Sequence, residues 1–190
     1  MEAVPRTAFV AERHAALAFK DIALPGERGT SVPEPELVAR LLAGSRLEPQ
    51  HRVLLVGLGA GYTAAILSHL VREVLALDRI PSLVAAAVQR FAAVGRTNVA
   101  VACADGLAPT EGAPFDRILL VGAIDRPPEA VWTRLKRGGA IIHARNDGPH
   151  MVGPQFLLRV EKQSDGIGRQ AVLGPSRLAE LRQDVVRADP

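Results

Sequence analysis

VLLVGLGAGYTAAILSHL, Val53 to Leu70, runs from an apolar, strand-like segment through three alternate glycines into a helix-like one. Strand RVLLVGL (52–58) followed by helix AAILSHLV (64–71) sets a rhythm that continues along the chain. Strand EVLALD (73–78), helix LVAAAVQRFAAVG (83–95) and strand NVAVACAD (98–105) come next, then strand FDRILLVGA (115–123), helix PPEAVWTRLK (127–136) and strand GAIIHAR (139–145). Apolar strands alternating with helices predict βαβ units in a parallel sheet covered on both faces. Two further strand-like stretches, QFLLRVEKQ (155–163) and RQAVLGPSRL (169–178), flank SDGIG (164–168), which reads as a hairpin turn. Upstream, residues 4–32 mix short helical pieces with Pro and Gly, and Glu36 to Leu47 has helical apolar spacing. The expected fold is α/β: a Rossmann-like, doubly wound, mostly parallel sheet with an antiparallel C-terminal hairpin and a short N-terminal helical cap. One domain over 1–190 is expected, with a cap and loop at 1–50, a ligand-binding core at 51–150, and the hairpin and a frayed tail (VVRADP) at 151–190.

Composition narrows the function classes. The chain has 190 residues, 48% of them hydrophobic, and 23 Lys and Arg against 20 Asp and Glu, a net charge of +3. Its basic residues are scattered, with no run that would neutralise a phosphate backbone, so nucleic acid is not an expected partner. Cys103 is the only cysteine, so no internal disulfide and no CxxC zinc site is possible. His14, His51, His69 and His150 show no metal-ligand spacing. Charges interrupt the first apolar stretch of MEAVPRTAFVAERH, and no uncharged run is long enough to span a bilayer. A cytoplasmic, metal-free protein away from membranes is the expectation.

The glycine turn of Gly57, Leu58, Gly59 and Gly61 lets backbone approach a ligand and aims N–H groups at it. A dinucleotide fingerprint would place its third glycine at Tyr62, whose bulk would obstruct a pyrophosphate. At the end of the next strand, Asp78, with Arg79 beside it, offers a carboxylate to the two hydroxyls of a ribose. At the end of the following strand, Asp105 can accept from an adenine amino group while the backbone at Gly106 reads the ring edge. All lie at carboxyl ends of parallel strands, where open α/β sheets bind ligands. This triplet favours S-adenosylmethionine over a nicotinamide cofactor, with S-adenosylhomocysteine as the product. A bland alternative is that the aspartates are turn formers or helix caps.

VPRTAFV (4–10), AFKDIALPGERGT (18–30), the glycine turn, LALDRIP (75–81), NVAVACADG (98–106), APFDRILLVGA (113–123) and LKRGGAII (135–142) occur in the order and near the spacing found in protein-L-isoaspartate O-methyltransferases. The chain resembles that family over about residues 4 to 145, with a looser echo at LGPSRLAEL (173–181). The glycine turn and aspartates are shared by many methyltransferases; VPRTAFV and DIALP carry the family-level specificity. The resemblance implies methyl esterification of an L-isoaspartyl carboxylate in damaged protein or peptide.

A carboxylate with a pKa of about 4 is already ionised at neutral pH and needs no general base, and no paired acid and base is evident. VGAIDRPPEA (121–130) lacks the Asn- or Asp-Pro-Pro-aromatic pattern resembling amino-directed methyltransferases. In the resembled family a loop reads approximately Gln-Thr-x-Ser-Gln-Pro, its serine at the reaction centre. Aligned on Pro35, TSVPEP puts Thr30 on the glutamine, Ser31 on the threonine, Pro33 on the serine and Glu34 on the second glutamine. Pro33 has neither a side-chain donor nor an N–H, and Glu34 disfavours a second carboxylate nearby. Thr30 and Ser31 are therefore the candidate catalytic residues, unless TSVPEPE is only a helix start with those hydroxyls as caps. A second departure is Leu55, where methyltransferases often carry an acid that anchors the methionine amino group; either affinity falls or a carbonyl such as that of Gly57 compensates. His143 either faces the acceptor pocket or is structural, Trp132 reads as core packing, and Cys103 reads as a buried small hydrophobe. The rival function is a relative that binds S-adenosylmethionine or S-adenosylhomocysteine but has lost isoaspartyl activity or uses another acceptor. A nicotinamide-dependent oxidoreductase is disfavoured by Tyr62.

Overall fold

The protein is described from a computed structural model, covering residues 3–109, 111–148, 153–163, 166 and 168–186. Seven strands form one sheet: β3 (Arg52–Val56), β4 (Glu73–Asp78), β5 (Val99–Cys103), β6 (Phe115–Ala123), β7 (Leu135–Asn146), β8 (Gln155–Lys162) and β9 (Gly168–Pro175). Their spatial order is β5-β4-β3-β6-β7-β8-β9; the first five are parallel, and β8 and β9 add antiparallel to β7. The order reverses between β3 and β6, so the crevice at their carboxyl ends is the topological switch point. A separate two-stranded ribbon, β1 (Leu24–Pro25) with β2 (Ser31–Val32), precedes α1 (Pro35–Gly44).

Strand alternation sorts the apolar side chains into two layers. Val53 and Leu55 of β3 face one cluster with Leu37, Leu41, Ala64 and Phe91, contributed by α1, α2 (Tyr62–Leu67) and α3 (Pro81–Ala93). Leu54 and Val56 face the other, with Leu107, Ile118, Val131 and Leu135. Among the described residues, that second face carries the short α4 (Glu129–Thr133), a loop holding Leu107, and Leu181. Both faces are covered, unequally, and no helix joins β5 to β6 among the described residues.

Local assignments differ from the sequence reading at the ends of most elements: β5 stops at Cys103 and not at Asp105, and α2 at Leu67 and not at Val71. The helix expected through Lys136 stops at Thr133, because Leu135 already pairs with Phe115 and Phe115 N–H bonds the Arg134 carbonyl at 2.8 Å. The strand expected through Leu178 ends at Pro175. Cys103 is exposed, not buried, since β5 is an edge strand. Of the hairpin turn, Ser164, Asp165 and Ile167 lie outside the described residues, as do His150 and residues 187–190 of the tail. Among the described residues no helix is long and apolar enough to cross a membrane, and no cluster of three metal-ligating side chains occurs.

Two buried histidines give the fold a pH dependence. Burial holds His143 and His51 below the ordinary imidazole value of 6.5; His51 Nδ1 accepts from the Glu48 N–H at 3.1 Å, which fixes a neutral ring. The unfolded chain then binds protons that the folded chain refuses, so this stability is complete above 6.5 and declines as pH falls toward the depressed folded values. The Tm is expected to drop between about pH 7 and about pH 5, and to drop less in His143→Gln, as read by scanning calorimetry.

Candidate functional site

Gly57, Gly59 and Gly61 all have positive φ, and the turn they form is tied down from two sides. The N–H groups of Gly57 and Leu58 both donate to the Leu77 carbonyl, at 3.0 and 3.2 Å. Asp78, the last residue of β4 and 8% exposed, accepts from the Gly59 N–H through Oδ2 at 2.9 Å and from the Ile80 N–H through Oδ1 at 3.0 Å. Each carboxylate oxygen keeps a second lone pair. Asp78 therefore organises the turn and lines the adjoining cavity with acceptor capacity to spare.

Tyr62, the first residue of α2, borders the cavity beside the turn. Its ring is buried against Phe9, centroids 5.6 Å apart and tilted by 54°, with the Arg6 guanidinium 5.9 Å from its centroid. The N-terminal cap is thus clamped onto the start of α2.

Asp105 accepts from the Leu107 N–H through Oδ1 at 2.9 Å and from the Asp184 N–H through Oδ2 at 3.1 Å. Gly106 presses so close to Val56 that a Cβ there would sit 2.5 Å from its side chain. Arg79 donates to the Asp184 carbonyl at 3.2 Å and receives the Val186 N–H on its own carbonyl at 2.9 Å. It fastens the C-terminal segment. The sequence offered only the looser echo LGPSRLAEL for that segment: Glu180 bridges to Ala123, and Leu181 fills the space left by Gly122, so Leu178 to Arg182 cross the carboxyl ends of the strands and wall the cavity. Val185 and Val186, expected to fray, are part of this crossing as far as Val186.

The acceptor loop forms the opposite wall. Thr30 Oγ1 donates to the Glu27 carbonyl at 2.7 Å, so its hydroxyl proton is used locally. The Ser31 side chain is exposed and has no hydrogen-bond partner among the described residues. Neither hydroxyl caps α1; Glu34 is the N-cap residue, and the Asp21 carboxylate reaches from the DIALP segment to accept the Glu36 N–H at 2.7 Å. Thr30, Ser31 and Pro33 line one cavity of about 440 Å³ together with the glycine turn, Asp78, Arg79, Asp105 and Gly106. His143 does not line it; it is buried in β7 with a ring nitrogen 3.3 Å from the Ala144 carbonyl. Trp132 packs against the second apolar cluster. Leu55 is fully buried among apolar neighbours, so no carboxylate stands at that position.

The cavity fits a nucleoside ligand in volume and in chemistry. Its size lies within the usual range of small-molecule sites, Asp78 keeps unused acceptor lone pairs on its wall, and at Gly59 an added Cβ would meet nothing closer than the Ser31 carbonyl at 3.9 Å.

Comparison with known proteins identifies relatives of the whole chain. The family model described as Protein-L-isoaspartate(D-aspartate) O-methyltransferase matches residues 1–179. The protein-L-isoaspartate O-methyltransferase of Rhodopseudomonas palustris (strain BisB18) is 41% identical over 174 residues, covering 91% of this chain and 79% of the relative. That of Parvibaculum lavamentivorans is 35% identical over 189 residues, covering 98% and 84%. A solved protein-L-isoaspartate O-methyltransferase superposes with a TM-score of 0.81 at 26% identity, over 96% of this chain and 59% of its own length. A Plasmodium falciparum chain solved with S-adenosyl-L-homocysteine shares the fold, with a TM-score of 0.77 at 19% identity over 95% of this chain and 87% of its own. Glu180, Leu181 and Arg182, which line the cavity, lie just beyond the residues that the family model matches.

Proposed function

This chain belongs to the protein-L-isoaspartate(D-aspartate) O-methyltransferase family and is an S-adenosylmethionine-dependent methyltransferase; we propose that its acceptor is the carboxylate of an L-isoaspartyl residue in protein or peptide. The observation that carries the reading is the single cavity shared by the glycine turn, Asp78, Asp105 and the loop from Thr30 to Pro33. Gly57, Leu58, Gly59 and Gly61 would hold the methionine portion, Asp78 the ribose, and Asp105 with Gly106 the adenine. Arg79 would act indirectly, through Asp184. The cofactor supplies a methyl group on a sulfonium, which a carboxylate oxygen takes by in-line displacement while the sulfur keeps the bonding electrons. No proton moves, so the protein's task is to align the two partners. Ser31, with its hydroxyl uncommitted, is the better candidate to orient the acceptor oxygen; Thr30 is engaged with Glu27. A cytoplasmic setting is part of the proposal, since it keeps the exposed Cys103 thiol reduced.

Labelled-methyl transfer to an isoaspartyl peptide, with the aspartyl isomer as control, tests this directly. Turnover of the isoaspartyl form alone is expected; S-adenosylhomocysteine binding without turnover would favour the rival reading, a cofactor-binding relative with another acceptor or none, to which Pro33 and Glu34 point. Ser31→Ala is expected to lower kcat about tenfold, the scale of one lost hydrogen bond. Pro33→Ser in that background should recover activity. An unchanged kcat in Ser31→Ala would remove Ser31 from the reaction centre.

A further inference from the structure

Arg6 opens the short 3-10 turn Arg6–Phe9 and is 4% exposed. Nη1 donates to the carbonyls of Ala18 and Lys20, both at 3.2 Å, and Nη2 to those of Ile22 at 2.8 Å, Val32 at 3.1 Å and Pro33 at 2.9 Å. No carboxylate forms an ion pair with it among the described residues, and its Nε has no partner. A buried cation solvated only by carbonyls is costly to keep, so its geometry calls for an explanation beyond packing.

Those carbonyls come from two separate parts of the chain. Ala18, Lys20 and Ile22 belong to the cap, whereas Val32 and Pro33 belong to the acceptor loop. Besides Arg6, the loop is held by the ribbon pairing Leu24 with Val32 and Pro25 with Ser31, by the Gly26 N–H on the Thr30 carbonyl at 2.9 Å, by the Thr30–Glu27 bonds and by burial of the Val32 side chain; the backbone bonds tie it only to its own neighbouring turn, and Pro33 has no N–H to add one. The same guanidinium lies over Tyr62, the first residue after the glycine turn. A planar fork can bond several carbonyls at once, which a lysine ammonium on a flexible stem cannot reproduce in the same geometry.

We infer that Arg6 is a positioning residue for methyl transfer: by gripping the Val32 and Pro33 carbonyls it fixes the acceptor loop, and Ser31 with it, against the cofactor cavity. The inference rests on the methyltransferase reading for its kinetic consequence but not for its structural one. The glycine turn, Asp78 and Asp105 are held by bonds that do not involve Arg6. Its loss should therefore affect the acceptor step more than cofactor binding.

The test uses Arg6→Gln and Arg6→Lys in the full chain, with three readouts. In both variants kcat on an isoaspartyl peptide is expected to fall about 100-fold, the scale of a 1 Å misplacement, while S-adenosylhomocysteine affinity by calorimetry changes less than about tenfold. Hydrogen exchange should quicken in the segment 22–34 and stay unchanged in β3. Wild-type kcat in Arg6→Lys would overturn the inference, because charge and not the fork would then suffice. Unchanged exchange in 22–34, or equal loss of protection in β3, would also overturn it. If the wild-type chain binds S-adenosylhomocysteine but leaves the peptide untouched, the acceptor assignment fails, and the exchange readout alone still decides whether Arg6 holds the loop.

Discussion

Gly57→Ala is expected to weaken S-adenosylhomocysteine binding by about 100-fold, or about 2.7 kcal/mol, while leaving a folded protein. At this position φ is +87°, and a Cβ would stand 2.7 Å from the Val121 carbonyl oxygen and 3.4 Å from Leu181 Cδ2. The first of these neighbours is backbone of β6 in the middle of the sheet and cannot retreat. A non-glycine residue in the left-handed region costs about 1–2 kcal/mol, and a forced close contact adds about 1–3 kcal/mol. Against a typical domain stability of about 5–15 kcal/mol the fold survives. The turn, however, relieves the strain by shifting off the Leu77 carbonyl, and ligand binding must then reverse that shift. Gly138→Ala separates the two causes: φ there is +71° but nothing lies within 4 Å of the added Cβ, so a small loss of Tm with unchanged affinity is expected. Wild-type affinity in Gly57→Ala, measured by calorimetry, would contradict the role assigned to the glycine turn.

That the turn and Asp78 could be placed at the carboxyl edge from the sequence has a physical basis, which does not extend to Asp105, two residues beyond the largely exposed edge strand β5. A strand buried on both faces is an unbroken apolar run, so RVLLV and EVLAL announce themselves, and the residue that ends such a run is placed at the carboxyl edge by topology alone. What could not be read depends on pairing between distant segments. Leu135 looks like the last turn of a helix until Phe115 is seen beside it. Cys103 reads as core until its strand is known to be the edge. The crossing segment after Pro175 is aperiodic, so LGPSRLAEL could be matched to a family but not placed; the contact that places it is Leu181 against Gly122, where a missing side chain lets another part of the chain approach. Arg6 was visible only as part of VPRTAFV, since nothing in a sequence says that five carbonyls will converge on one guanidinium. The same holds for Asp21, whose capping partner is fifteen residues away.

Asp78→Ala is expected to raise the cofactor KM about 100-fold, with kcat at saturating cofactor much less affected, because hydrogen bonds to a charged acceptor contribute about 1.5–3 kcal/mol each. Raised KM alone does not establish a ribose contact. The carboxylate also holds the N–H groups of Gly59 and Ile80, and releasing them would disorder the turn and weaken binding by a different route. Asp78→Asn does not separate the routes either: its amide offers one acceptor and one donor, so one of the two flanking N–H groups would face an NH₂. The ligand has to be varied as well. Wild type should prefer S-adenosylhomocysteine over its 2′,3′-dideoxy analogue by about 100-fold, and Asp78→Ala should bind the two almost equally, since removing either partner of a contact forfeits the same coupling. Discrimination that persists undiminished in Asp78→Ala would refute the ribose role and leave Asp78 as the residue that shapes the glycine turn.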